Sequence, residues 1–388
     1  MNLSYIINEL GEDREQYFNA VSPPIMQASN FAFNTIDELS KAFADEMGSY
    51  LYSRGLNPTV DILRKKLAAL DGAEDCLVFN NGAAATFAAV MANVKSGDHI
   101  VSVKDPYVWT KKAFDNIFSR FGVSTTYIEG KDIQEWQSAT QSNTVLYYLE
   151  SPNSWEYGLQ PLQEIADFAK TKNIITIIDN TYCTPIYQNV IEMGIDIAMQ
   201  TATKYIGGHS DTLGGVLCGS HAMMRKIFES EYMTIGSGIQ PFNAWAFIRG
   251  LRTLPARLER INQTTKTIVE FLSNHPKVEK IIFPFHPSFP QYELAKKQMK
   301  EAFGLVTIIL KDKKRDSIIR FCESLKAFLI AVSWGGHESL VIPRCAGIRK
   351  EHYNPESEKH RQIRLYFGLE DADYLIKDFE QALKWVDG

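Results

Sequence analysis

Short apolar runs alternate with amphipathic stretches through the middle of the chain. Residues 76–79, 100–103, 145–149, 174–178 and 196–199 are runs of four or five mostly apolar side chains, the pattern of strands covered on both faces. Between them, Val60, Leu63, Leu67 and Leu70 recur at helical spacing. Leu162, Ile165, Ala166 and Ala169 do the same behind Pro161, which suits a helix's first turn. Strand and helix in alternation predict an α/β domain on a mainly parallel sheet. The C-terminal third changes character. A helix is expected over 255–274, with Leu258, Ile261, Ile268 and Leu272 on one side, and strands over 305–310 and 363–367. A last helix carries Leu375, Ile376, Phe379, Leu383 and Val386, with Asp371 as its cap. This predicts a smaller α+β domain. The first fifty or so residues keep no steady period and read as an arm that packs on something else, such as another subunit. The expected division is an arm over 1–55, a large domain over 56–248 and a small domain over 249–388.

Composition narrows the classes without choosing among them. The 388 residues exceed one hydrophobic core, and 45% hydrophobic with 22% charged residues is ordinary for a globular enzyme. A net charge of −5 offers no basic footprint for nucleic acid and no polybasic membrane anchor. No run approaches the roughly 18 apolar residues of a membrane span, and the N-terminus does not read as a secretory signal. The five cysteines are widely spaced with no C-x-x-C pair, which fits small buried side chains in a reduced, cytoplasmic setting. His337 and His352 have no second ligand at metal-binding spacing.

In open α/β sheets, ligands bind beyond the carboxyl ends of the strands. Each apolar run delivers polar groups there. Residues 76–79 lead to Asn80, Asn81, Gly82 and Ala83, and 145–149 lead to Glu150, Ser151 and Pro152. Residues 174–178 end in Asp179 and Asn180, and 196–199 run into Thr201, Thr203 and Lys204. Gly82 and Ala83 open an alanine-rich helix whose bare N–H groups could hold a phosphate; a plain strand-to-helix turn reads the same way. Asp179 at a buried strand end needs a partner. A protonated pyridine nitrogen would serve, and so would a role as helix cap. Lys204, between threonines and paired glycines, suits a covalent role, because partial burial would free its amine. Thr201 and Thr203 either donate hydroxyls to that phosphate or reflect β propensity.

The stretch Thr201-Ala-Thr-Lys-Tyr-Ile-Gly-Gly-His-Ser-Asp211 resembles the lysine signature of the Cys/Met-metabolism pyridoxal-phosphate family, with threonine at 201 where serine is common. Four further stretches resemble the family's other motifs in the expected order. They are Tyr52-Ser-Arg-Gly-Leu-Asn-Pro-Thr59, Asp179-Asn-Thr181, Arg249-Gly-Leu-Arg-Thr-Leu254 and Ser333-Trp-Gly-Gly-His-Glu-Ser-Leu340. The resemblance implies fold type I of the pyridoxal-phosphate enzymes, with a seven-stranded, mainly parallel sheet. It implies pyridoxal 5'-phosphate as cofactor, bonded covalently to Lys204, with Asp179 on the pyridine nitrogen. Gly82, Ala83, Thr201 and Thr203 would hold the phosphate. Tyr52 and Arg54 would reach it from a neighbouring subunit, making the site intersubunit in a homo-oligomer, a dimer of dimers. Tyr107 would stack on the ring and take part in proton transfer. Arg364 would clamp the substrate carboxylate, with Ser333 supporting it through its backbone. His209 would orient the lysine loop.

Some positions depart from the broad pattern. Val108 and Trp109 precede Thr110 where glycines are common, Ser154 replaces an asparagine, and Asn81 replaces a serine. No cysteine stands near Trp109, where methionine γ-lyases carry one. Asn81-Gly-Ala-Ala-Ala85, Leu149-Glu-Ser-Pro-Asn-Ser154 and Ser333-Trp-Gly-Gly336 look like the bacterial cystathionine β-lyase pattern. That pattern implies substrate contacts from Trp334 and Ser154, and from Tyr232 of a partner. The expected reaction is α,β-elimination on a small sulfur amino acid, most simply cystathionine to homocysteine, pyruvate and ammonia, in the service of methionine synthesis. The alternative is γ-replacement or γ-elimination of the cystathionine γ-synthase or γ-lyase type. A cofactor-binding protein without catalysis would lack one of the named groups, and none is missing.

Overall fold

The computed structural model describes residues 1–387. It divides into two compact units. The first comprises Met1–Pro152, Leu159–Gly207 and Asp211–Arg252; the second comprises Asn153–Gly158, Gly208–Ser210 and the chain from Thr253 onward.

The first unit is built on seven strands: β1 (Asp75–Phe79), β2 (His99–Val103), β3 (Ser124–Ile128), β4 (Thr144–Glu150), β5 (Ile175–Asp179), β6 (Ile197–Gln200) and β7 (Gly215–Gly219). Their order is β1-β7-β6-β5-β4-β2-β3. All neighbours are parallel except β7, which runs antiparallel to both β1 and β6. This is the mainly parallel sheet that the alternation predicts. Two strands escaped the apolar pattern. The edge strand β3 is only partly buried and reads Ser-Thr-Thr-Tyr-Ile, while β7 is a three-residue apolar run between glycines. Gly215 is required by packing, since a Cβ there would lie 2.3 Å from the Asn81 carbonyl oxygen. The ladder sets Glu150 of β4 beside Asp179 of β5.

Helix α1 (Pro58–Asp71) is capped by Asn57, whose side chain accepts from Thr59 N at 3.0 Å. Part of the expected arm docks on this helix of its own chain. The Glu12 side chain is wholly buried with Lys66 at 3.0 Å and Arg252 at 3.1 Å, and Lys66 Nζ also donates to the Ile6 and Ile7 carbonyls. Beyond it, Phe18, Val21, Ile36 and Phe43 are exposed.

The last residue of α1, Asp71, is fully buried. Its Oδ2 accepts from Gln200 Nε2 at 2.6 Å, while Asp71 Oδ1 and Gln200 Oε1 have no partner among the described residues. Burial pushes this carboxyl up to about 7, against the lowering influence of the neighbouring Cys218 and Gln200 side chains. A folded value above the ordinary 3.8 means that the folded chain keeps a proton the unfolded chain gives up. The contribution to stability is therefore fully present below 3.8 and is lost as pH rises towards 7. It amounts to about 4 kcal/mol over that window. Asp71→Asn, an amide that can satisfy both orphaned oxygens, should gain on wild type by this order between about pH 4 and about pH 8. Urea unfolding of the two proteins measures it, and parallel pH profiles would refute it.

The second unit holds a five-stranded sheet of β8 (Val278–Ile282), β9 (Leu305–Leu310), β10 (Leu329–Ile330), β11 (Leu340–Pro343) and β12 (Gln362–Tyr366), in the order β10-β11-β12-β9-β8. Only β10 and β11 are parallel, so this is the α+β unit expected. Two local expectations change. The helix expected from residue 255 is Pro241–Ser273, with Pro255 inside it. Its apolar face continues on both sides of the proline, through Phe247, Leu251, Leu254, Leu258 and Ile261, all fully buried or nearly so. That burial outweighs a cost of roughly 3 kcal/mol for an interior proline. Asp371 precedes the final helix (Ala372–Ala382) but makes no cap bond, because its carboxylate pairs with Arg260.

Candidate active site

Strand ends of the first unit assemble the cofactor-binding candidates. The helix Gly82–Met91 begins directly after β1, and its cap Asn81 accepts from Ala84 N at 2.8 Å. The N–H groups of Gly82 and Ala83 therefore point out of the helix with no partner among the described residues. A Cβ at residue 82 would come within 2.2 Å of Thr201 Oγ1, so only glycine lets the helix start approach that hydroxyl. Thr201 Oγ1 is likewise without a partner there. Thr203 differs, since its hydroxyl is engaged with Gly214, accepting from its N–H at 3.1 Å. Lys204 follows in a tight turn, with its N–H on the Thr201 carbonyl at 3.1 Å and Gly207 N on Ala202 O at 2.8 Å.

Asp179 is buried at the end of β5. Its Oδ1 accepts from the Thr181 backbone at 3.0 Å and from the Thr181 hydroxyl, and that hydroxyl in turn accepts from Thr201 N at 2.8 Å. No donor in the described chain reaches Oδ2. Burial raises this carboxyl, while Thr181 and the nearby Lys204 charge pull it down. Tyr107 sits half-exposed at the start of the helix Val108–Asn116, with its N–H on Glu150 Oε2 at 2.6 Å. Burial, Asp179 and Glu150 all raise its phenol, so it stays protonated near neutrality. Tyr52 and Arg54 are exposed, the guanidinium 5.5 Å from the Tyr52 ring.

In the second unit, Arg364 lies on β12, nine-tenths buried. Its Nη1 donates to Ser154 O at 3.3 Å and its Nη2 to Ser333 O at 3.4 Å, and no carboxylate of the described chain pairs with it. Burial lowers its pKa, as an uncompensated cation requires. Ser333 is held at φ 83°, a strained conformation for a non-glycine residue, and Trp334 beside it is buried. Ser154 meets the arginine through its backbone, not its hydroxyl.

One expectation is corrected. Tyr232 is a core residue, 3% exposed, with its ring against Phe79 and Phe228 and its hydroxyl donating to Val78 O at 3.1 Å. A side chain sealed in this way cannot reach another subunit's substrate. Two groups drew no role from the sequence. Thr181 ties Asp179 to Thr201, and Glu150 fixes Tyr107. Both were visible as strand-end polar residues, but their partners follow from the sheet register.

These groups suit a phosphorylated pyridine aldehyde. Free N–H groups and a hydroxyl converge for an anion, a buried carboxylate oxygen lacks a donor, and a lysine stands nearby. The model of the Cys/Met metabolism PLP-dependent enzymes matches residues 5–384. The chain belongs to that family. Pyridoxal phosphate is its cofactor, and sulfur amino-acid chemistry is its field. The chain is 36% identical to the L-methionine γ-lyase of Treponema denticola over 374 residues, covering 94% of this chain and 93% of the relative. It is 33% identical to the cystathionine γ-lyase of Homo sapiens, covering 97% and 92%. The crystal structure of metB from Corynebacterium glutamicum matches with a TM-score of 0.89 at 30% identity, covering 99% of this chain and 98% of that one. The fold-type I expectation holds. Among the described residues, no helix is long and apolar enough to cross a membrane.

Proposed function

We propose that this protein breaks the bond between sulfur and the γ-carbon of a thioether amino acid, releasing a thiol, 2-oxobutyrate and ammonia. What supports the reading is the naming of full-length relatives as γ-lyases. These names favour the γ-carbon chemistry weighed as the alternative over the β-elimination suggested by Trp334 and Ser154. The absence of a cysteine near Trp109 does not set this chain apart from methionine γ-lyases as relatives.

Bound pyridoxal phosphate supplies an electron sink for a carbanion at the substrate's α-carbon. The rest falls to the chain. The N–H groups of Gly82 and Ala83 and the hydroxyls of Thr201 and Thr203 would hold the phosphate. Asp179 would pair with the cofactor's ring nitrogen, and Thr181, bonded to its Oδ1, keeps the carboxylate aimed. Arg364 takes the substrate carboxylate with its fork, assisted by Ser333, and Trp334 walls the pocket. The Lys204 amine removes the α-proton and serves again at the β-carbon, a removal that β-elimination does not need. Tyr107, kept protonated by burial and by the charges of Asp179 and Glu150, would give a proton to the departing sulfur. Tyr52 and Arg54, exposed on their own chain, serve the phosphate of a second copy.

Product analysis tests the proposal. Incubation with L-methionine or L-cystathionine is expected to yield 2-oxobutyrate, with cysteine as the thiol from cystathionine. Pyruvate and homocysteine from cystathionine would overturn it in favour of β-elimination.

A further inference from the structure

Arg364 raises a question its hydrogen bonds do not answer. It is a buried cation with no carboxylate partner in the described chain, and both carbonyl contacts are long. Such a group is unfavourable unless something compensates its charge and fixes its fork. The second unit supplies a candidate in Trp155. The guanidinium carbon of Arg364 lies 5.0 Å from the indole centroid, within the range of cation–π attraction. A second guanidinium, that of Arg344, lies 4.9 Å from the same ring and also binds the Gln362 side chain, two residues before Arg364 on β12.

The indole is itself held in place. Asn153 Oδ1 accepts from the N–H groups of Trp155, Glu156 and Tyr157 at 3.4, 3.1 and 2.9 Å, folding residues 153–158 into a compact turn. Thr307 Oγ1 donates to the Trp155 carbonyl at 2.8 Å, and the buried Tyr157 hydroxyl meets Thr307 Oγ1 at 3.1 Å. Thr307 is the cross-strand partner of Arg364 in the β9–β12 ladder. The turn is therefore pinned to the residue opposite the arginine, and this places the indole over the guanidinium.

We infer that Trp155 is a positioning residue for the substrate carboxylate: its ring holds the Arg364 fork in one orientation before an amino acid arrives. The inference rests on Arg364 as the carboxylate clamp. Trp155 touches no reacting atom, so its loss weakens amino-acid binding and leaves the chemical step alone.

The test is a double-mutant cycle on the holoenzyme, with Trp155→Leu, Trp155→Phe, Arg364→Ala and the Leu–Ala double variant. Each is assayed for kcat and KM on the thioether amino acid it turns over. Each is also titrated with glycine, an amino acid without a leaving group, through the change in cofactor absorbance. Trp155→Leu should raise both KM and the glycine Kd roughly tenfold with kcat changed less than about twofold. Trp155→Phe keeps a smaller π face and should raise them roughly two- to threefold; it carries the test if leucine prevents folding. In the Arg364→Ala background, Trp155→Leu should add nothing. Wild-type KM and Kd in the Trp155 variants, while Arg364→Ala raises both, would overturn this inference alone. So would an equal Trp155 effect with and without Arg364. An Arg364→Ala protein with unchanged KM and Kd would instead bring down the carboxylate reading, and this inference with it.

Discussion

Lys204→Ala should lose at least about 10³-fold in turnover while the protein folds and still takes up cofactor. The amine is asked to do two things: to bond to the cofactor's aldehyde and to move protons at the substrate's carbons. Alanine removes both. The turn that carries residue 204 is made by backbone hydrogen bonds from Lys204 N to Thr201 O and from Gly207 N to Ala202 O, and the substitution leaves these intact. The phosphate cradle of Gly82, Ala83 and Thr201 is untouched as well. Cofactor should thus bind but dialyse away, and the visible spectrum of the covalently loaded enzyme should be missing. Added small primary amines should restore part of the rate, because they can replace a lost base but not a lost fold. A variant that retains the wild-type spectrum and rate would end the mechanism.

Asp179→Asn should lower kcat by about 10²-fold or more with a smaller loss of cofactor affinity. The carboxylate is buried, with one oxygen committed to Thr181 and the other lacking a donor among the described residues. Burial holds it above the ordinary range in the cofactor-free chain, and the Lys204 charge already opposes that. A ring cation at Oδ2 would oppose it further, so the ionised form and the protonated ring stabilise each other. Asparagine can still hydrogen-bond the ring nitrogen, but as a neutral group it does not favour its proton, and the electron sink weakens. The same linkage has a pH signature. Cofactor affinity of the wild type should fall on acidification through the Asp179 titration, and the Asn variant should lack that dependence. Comparing kcat and cofactor Kd of the two proteins across pH checks both points. Equal kcat would remove Asp179 from the mechanism.

Much of this was legible along the chain because burial and backbone geometry leave local marks. Strands sealed on both faces must be continuously apolar, so β1, β2, β4, β5 and β6 stood out. What protrudes past their carboxyl ends was readable as a site: Gly82, Asp179, Thr201 and Lys204 all lie there. The partly exposed β3 and the glycine-bounded β7 left no such mark, and Pro255 imitated a helix start because its neighbours' burial is a tertiary fact. Tyr232 shows the reverse error. A tyrosine near a motif says nothing about which way it faces, and the packing of Phe79 and Phe228 turned it inward.

Sequence alone placed an amine, an acid and small residues at successive strand ends, and the resemblance of five motifs in order to one family pointed from there to the cofactor. Only the tertiary structure decided which groups work in pairs. The β4–β5 register sets Glu150 beside Asp179. The β9–β12 register pins the Trp155 turn opposite Arg364. Residues 153 to 158 lie some two hundred positions before the arginine they attend, and no periodicity spans that distance, because such contacts are made by the folded sheet and not by the chain.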